Sequence, residues 1–145
     1  MRKLLIILLY VATAAISQAQ VSKIVGEWNT FDDKTGAMRC VIRIYEEHGE
    51  YLGVVTTLYE KDGEGNYHVM RAPYPKAYQG YVGTNVFSGM KADGDQLKGK
   101  IFDPERQKTY HAKVSYNAAT DELVLRGSLD RFGVLGRSQT WKRKE

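Results

Sequence analysis

A single cysteine, Cys40, stands in a chain of 145 residues. No disulfide can form within the molecule, so an apolar core must hold it, and a chain of this length can supply one. Histidine is equally scarce. His48, His68 and His111 have no histidine, cysteine or carboxylate neighbour at metal-ligand spacing, so the pattern points to no metal site. No serine sits in a G-x-S-x-G elbow, and no glycine-rich loop joins a strand to a helix. Neither a nucleophilic triad nor nucleotide chemistry has a footing, and no cofactor is implied. The charge excess is small, 21 Lys and Arg against 17 Asp and Glu. That is too mild to mark a nucleic-acid partner. Beyond residue 19 no apolar run is long enough to span a bilayer as a helix, which takes ~20 residues.

What is present begins with a leader. Arg2 and Lys3 precede an apolar run from Leu4 to about Ile16, and Ser17 and Ala19 supply the small residues of a cleavage site before Gln20. This is the pattern of a secretory signal peptide over residues 1–19, leaving one domain over residues 20–145. The run is short for a transmembrane anchor, and no cysteine lies near the cleavage site to take a lipid. The expected location is the periplasm or beyond. Without the two leader cations the net charge falls to +2, from 19 basic and 17 acidic residues. In an exported chain Cys40, within CVIRIY, is either a buried inert thiol or a partner for a second molecule.

The domain shows no amphipathic helix. It reads as eight strands broken by Gly, Asp and Asn: residues 23–30, 39–47, 51–60, 81–90, 96–102, 108–116, 122–129 and 134–143. Short turns between successive strands make neighbours antiparallel. Such a chain either stacks two sheets or closes on itself, and closure removes both edges. Glycines inside the strands (Gly26, Gly53, Gly83, Gly99, Gly127, Gly136) suit the sharp coiling of a small barrel. The expected fold is therefore all-β, an eight-stranded antiparallel up-and-down barrel.

In a closed barrel the first and last strands are neighbours. Ile24, Gly26 and Trp28 share one face of the first, and Leu135, Arg137, Gln139, Trp141 and Arg143 share one face of the last. Trp28, Arg137, Trp141 and Arg143 are thereby expected to close one end, with a guanidinium over an indole. The GEW of the first strand with a late arginine resembles the lipocalin and calycin pattern, in which Gly-x-Trp opens the barrel and an arginine packs across the tryptophan. More of the chain resembles a family of exported bacterial proteins, the domain-of-unknown-function 2147 family. The stretches that carry this are GEWNTFDDKTG, VIRIYEEHGEYLGVV, GKIFDPERQKTYHAKV and LRGSLDRFGVLGRSQTWKR. The resemblance implies a lipocalin-like barrel in the bacterial envelope and no established activity. Two departures stand out. Relatives carry a Cys-x-x-Cys pair in the loop after the third strand, absent here, and a glycine where this chain has Gln107.

Function rests on less. The stretch 61–80 gathers Tyr67, Met70, Tyr74 and Tyr78 with Pro73 and Pro75. Aromatic loops of this kind form lids or partner patches, or else plug the barrel mouth. With Tyr110 these four are the candidate ligand-binding residues. A pocket from Trp28, Arg126, Tyr110 and Arg137 is a further arrangement, although alternation with Leu123, Leu125 and Gly127 favours Arg126 outside. Asp103, before Pro104, is expected to fix its turn by bonding nearby amides. Catalytic residues are not evident, and the leading reading is a non-enzymatic binder of a small apolar or amphipathic molecule. The alternative is an envelope scaffold with a filled barrel, contacting a protein or glycan through loop 61–80. An enzyme is a third reading that no residue spacing calls for.

Overall fold

The computed structural model describes residues 18–145. The expected leader falls on residues 1–17, outside the described residues, apart from its last two positions. Nine strands follow: β1 (Gly26–Phe31), β2 (Met38–Glu47), β3 (Glu50–Lys61), β4 (Tyr67–Val69), β5 (Phe87–Asp93), β6 (Gln96–Asp103), β7 (Lys108–Asn117), β8 (Glu122–Ser128) and β9 (Gly136–Arg143). They form one antiparallel sheet in the order β4-β3-β2-β1-β9-β8-β7-β6-β5. The all-β, lipocalin-like class holds, with two differences from the expected barrel. A ninth strand, β4, arises in the tyrosine-rich stretch, where Tyr67 to Val69 pair with Tyr59 to Lys61. The ladder also does not close. Between β3 and β5 it is replaced by an isolated bridge, Val54 to Asn85. Three backbone hydrogen bonds flank the bridge: Val55 N to Thr84 O, Gly83 N to Val55 O and Val86 N to Gly53 O, at 2.8–3.0 Å.

The open seam follows from the local sequence. Gly80 and Gly83 hold φ of +83° and +90°, so residues 81–86, expected as strand, turn instead. Asn85 lends its side-chain oxygen to the amides of Gly53 and Phe87 at 3.0 and 3.1 Å. A Cβ on Gly53 would sit 2.9 Å from the Phe87 ring. Only glycine lets that ring lie across β3 and cover the seam from inside.

One end of the barrel is built around Trp28. Residues 18–22 form a helical turn before β1, burying Val21 and Ile24 under the sheet. The Trp28 Nε1–H donates to the Ile24 carbonyl at 2.8 Å, and its ring is fully buried. Arg143, its register partner on β9, places its guanidinium carbon 4.2 Å from the ring centroid. Both oxygens of Asp121 accept from Arg143 Nε at 3.1 Å, and Arg143 Nη2 donates to the Lys23 carbonyl at 2.9 Å. Tyr116 donates to Asp121 at 2.8 Å. Gly26 serves the same stack: its φ is +142°, and a Cβ there would stand 2.8 Å from Arg143 Nη1.

The core fills this end and not the other. Trp28, Ile24, Ile44, Met90, Leu97, Val114 and Leu123 are almost wholly buried and pack in one cluster. Toward the opposite end the inward-facing side chains line a wall and the barrel is hollow. Trp28→Ala should therefore lower unfolding stability by about 3–5 kcal/mol, read from the denaturant midpoint. Trp28→Phe keeps a ring under Arg143 but orphans the Ile24 carbonyl, and should cost about 1 kcal/mol. A Trp28→Ala chain as stable as the parent would contradict this account of the closed end.

Candidate functional site

The hollow half opens as a cavity of about 670 Å³. Its deep walls are apolar: Ile42, Val55, Leu58, Val86, Ile101 and Leu125 line it, and Trp141 forms the floor. Trp141 is buried and stacks on Phe87, ring centroids 6.5 Å apart and planes 4° from parallel. Its Nε1–H donates to Gln139 Oε1 at 3.2 Å. Cys40 and Thr30 also face the cavity, with Sγ and Oγ1 3.0 Å apart. Burial raises the Cys40 thiol above its ordinary value, against the smaller opposing pull of the Thr30 contact. The thiol is thus largely protonated and a poor nucleophile at neutral pH.

Charge is confined to the mouth. The β1–β2 hairpin starts at Asp32, whose Oδ1 accepts from the amides of Lys34 and Thr35 at 2.9 and 2.8 Å. Arg39 Nη2 bonds Asp32 at 2.8 Å and Glu105 at 2.9 Å. Glu105 lies in the β6–β7 turn, on the far side of the barrel. Arg39 thus forms an ionic strap over the opening. Asp33 ties the same hairpin to β9, accepting from Gln139 Nε2 at 3.1 Å and pairing with Arg137 at 3.6 Å. These pairs are substantially exposed, so each contributes little to stability and yields easily.

The candidate residues separate on this frame. Met70, Tyr78 and Tyr110 line the cavity, and Tyr78 packs edge-on against Tyr81, another wall residue, at 5.7 Å. Tyr67 and Tyr74 do not line it. The Tyr67 hydroxyl instead accepts from the Met38 amide at 3.2 Å on the outside of β2, because pairing in β4 turns it there. Tyr74 packs against the core beneath the loop. Trp28 and Arg143 meet at the closed end, whereas Arg137 does not join them. It stands at the opposite end of β9, on the rim, since six residues of strand separate it from Arg143 at about 3.3 Å per residue. Trp141 lies between the two ends, as the cavity floor. Arg126 points outward and bonds the carbonyls of Gly133 and Val134 at 2.6 and 3.3 Å, so the pocket of Trp28, Arg126, Tyr110 and Arg137 does not form.

Asp103 binds the amides of Glu105 and Arg106 at 2.9 and 3.2 Å and the Arg106 guanidinium at 2.8 Å. Gln107 takes φ +52°, the left-handed conformation a glycine would supply, so the turn keeps its shape without one. Arg39, Asp32 and Glu105 were not among the expected site residues. The DDKTG turn and an arginine opening the next strand were the available signal, but their partner lies 66 residues away from Arg39. Among the described residues no group of three or more His, Cys, Asp or Glu is placed to hold a metal, and no helix is long and apolar enough to cross a membrane.

A family model described as an uncharacterized protein conserved in bacteria, DUF2147, matches residues 26–143. The chain belongs to this family. The match begins at Gly26 and ends at Arg143, the pair in contact at the closed end. No curated protein matches the chain in sequence. Among solved structures it is similar to HP1028 of Helicobacter pylori, described as belonging to the lipocalin family. The two share 21% identity with a TM-score of 0.59, over 83% of this chain and 82% of the other. That likeness places the DUF2147 chain in the lipocalin-like fold.

The hairpin at the mouth should report its own electrostatics. Amide bonds from Thr35 and Lys34, then the Arg39 charge, hold the Asp32 carboxyl at about 2, below its ordinary 3.8. A lowered pKa means the tie is fully present above pH ~4 and is lost as pH falls through about 2. The Thr35 and Lys34 amide resonances should titrate with that midpoint, and in Arg39→Ala the midpoint should rise. Titration at the ordinary carboxylate value would contradict the bonded hairpin.

Proposed function

We propose that this DUF2147 chain is a non-enzymatic carrier or sensor that holds one small apolar or amphipathic molecule in the open half of its barrel. The single observation that carries this is the cavity: apolar deep walls, an aromatic floor and a charged mouth. About 670 Å³ lies within the ~300–1,000 Å³ usual for small-molecule sites. Eight-stranded barrels of the lipocalin kind hold one ligand in the same place, and the likeness to HP1028 supports the reading at the level of fold. The mouth carboxylates are engaged with arginines and amides, an arrangement for positioning a polar headgroup rather than for moving protons. Loss of residues 1–19 and release to the periplasm or beyond belong to the same proposal. The scaffold alternative supposes a filled interior, and the hollow half of the barrel favours the binding reading over it.

Native mass spectrometry of the protein purified from its own cell envelope is the test. The expected result is a retained small molecule. Leu125→Trp, which places a large ring over the Trp141 floor, should abolish retention and uptake of the apolar dye N-phenyl-1-naphthylamine while leaving a cooperative thermal transition. A parent protein that retains nothing and takes up no dye would overturn the proposal.

A further inference from the structure

Seven large hydrophobic side chains are exposed among the described residues, and four of them fall between positions 129 and 135. Leu129, Phe132, Val134 and Leu135 are 58%, 76%, 74% and 65% exposed. An apolar patch of this kind on a folded surface marks a contact site. The segment joining β8 to β9 is nevertheless closely tied down. The Asp130 carboxylate accepts from the amides of Phe132, Val134 and Leu135 at 3.2, 3.1 and 2.8 Å. Leu129 and Leu135 are linked through their backbones at 3.0 Å, and Gly133 N bonds Asp130 O at 3.3 Å. Arg126 holds the carbonyls of Gly133 and Val134, Lys113 that of Phe132 at 3.3 Å, and Ser128 that of Asp130 at 2.7 Å. The loop therefore presents apolar side chains outward while most of its own peptide groups are already bonded.

Water does not require that arrangement, because an exposed loop can bond its peptide groups to solvent. A medium without hydrogen-bonding capacity does require it, since each unpaired backbone group there costs several kcal/mol. The surrounding charge points the same way. Arg131 is exposed within the loop and Arg137 follows it, while the loop's one acid, Asp130, is turned inward on amides. Apolar tips flanked by long cations suit an anionic bilayer surface, where the chains enter the acyl boundary and arginine reaches the phosphates. Leu129 and Leu135 also line the cavity. We propose that residues 129–135 dock the protein on an anionic lipid bilayer with the cavity mouth facing the membrane. The proposal rests on the loop and stands whether or not the cavity holds a ligand.

Vesicle sedimentation of residues 20–145 tests it. The protein should sediment with phosphatidylcholine–phosphatidylglycerol vesicles more strongly than with pure phosphatidylcholine. Phe132→Ser with Val134→Ser should weaken binding by about tenfold or more with an unchanged circular dichroism spectrum. Arg131→Gln should weaken it by about fivefold. Phe132→Trp should show a blue-shifted emission component on adding anionic vesicles, against the buried Trp28 and Trp141. No sedimentation by the parent, or equal sedimentation by the double serine variant, would overturn the proposal. So would a concentration-dependent dimer in vesicle-free buffer that the double variant abolishes, which would assign the loop to a second copy of the chain.

Discussion

The stack of Arg143 on Trp28 is the constraint on which the rest of the barrel depends. It joins the first strand of the domain to the last, in a molecule with no internal cross-link. A partly exposed cation over an indole gives roughly 0.5–2 kcal/mol, so the stack does not hold the barrel by strength alone. Its value lies in how many elements converge on it. Asp121 brings the β7–β8 turn, Lys23 and Ile24 bring the segment ahead of β1, and Gly26 makes room for the guanidinium. The guanidinium covers the buried ring with one face and donates its N–H groups to a carboxylate and a carbonyl at the surface. The hydrogen bonds from Tyr116 and then Arg143 keep the Asp121 carboxyl below the usual range, against a smaller opposing effect of desolvation.

With one end fixed, the remainder of the interior can be left empty. Beyond the level of Trp141 and Phe87 the side chains line the wall without meeting across the centre. A cavity of this size forfeits packing energy, and the closed half makes that tolerable. The charged mouth follows from the same division. Its ion pairs sit in water, contribute little to stability, and set the hairpins of β1–β2 and β6–β7 in place across the opening. The two ends thus differ in kind: one is packed solid around the buried Trp28 ring, the other is spanned only by exposed pairs that separate readily.

Strand positions and the closed end were legible in the sequence because their signals are local. Alternation, turn residues and the GEW stretch placed β1 to β3 and β6 to β9 within a few residues, and brought a late arginine to the tryptophan end without deciding between Arg137 and Arg143. The seam was not legible. Residues 81–86 read as strand by composition, but positive φ at two glycines and the Asn85 side chain divert them, and neither shows in a hydrophobic pattern. Arg137 was misplaced for a different reason. It shares a face with Arg143, and a face says nothing about which end of a strand a residue occupies. Tyr67 and Tyr74 fell away because the Tyr67 hydroxyl is engaged by the Met38 amide and Tyr74 packs against the core, contacts that a loop's composition does not reveal. The strap of Arg39 links residues far apart in sequence, which no local pattern reveals.

The lone cysteine takes on a different meaning in this setting. Cys40 is not poised to cross-link two molecules, because its sulfur faces inward, into the cavity and against Thr30. Any reagent that reaches it must come through the mouth and occupy space a bound molecule would fill. The protein therefore carries a natural probe of access: the rate at which its one thiol reacts measures how readily the hollow half of the barrel is reached from outside.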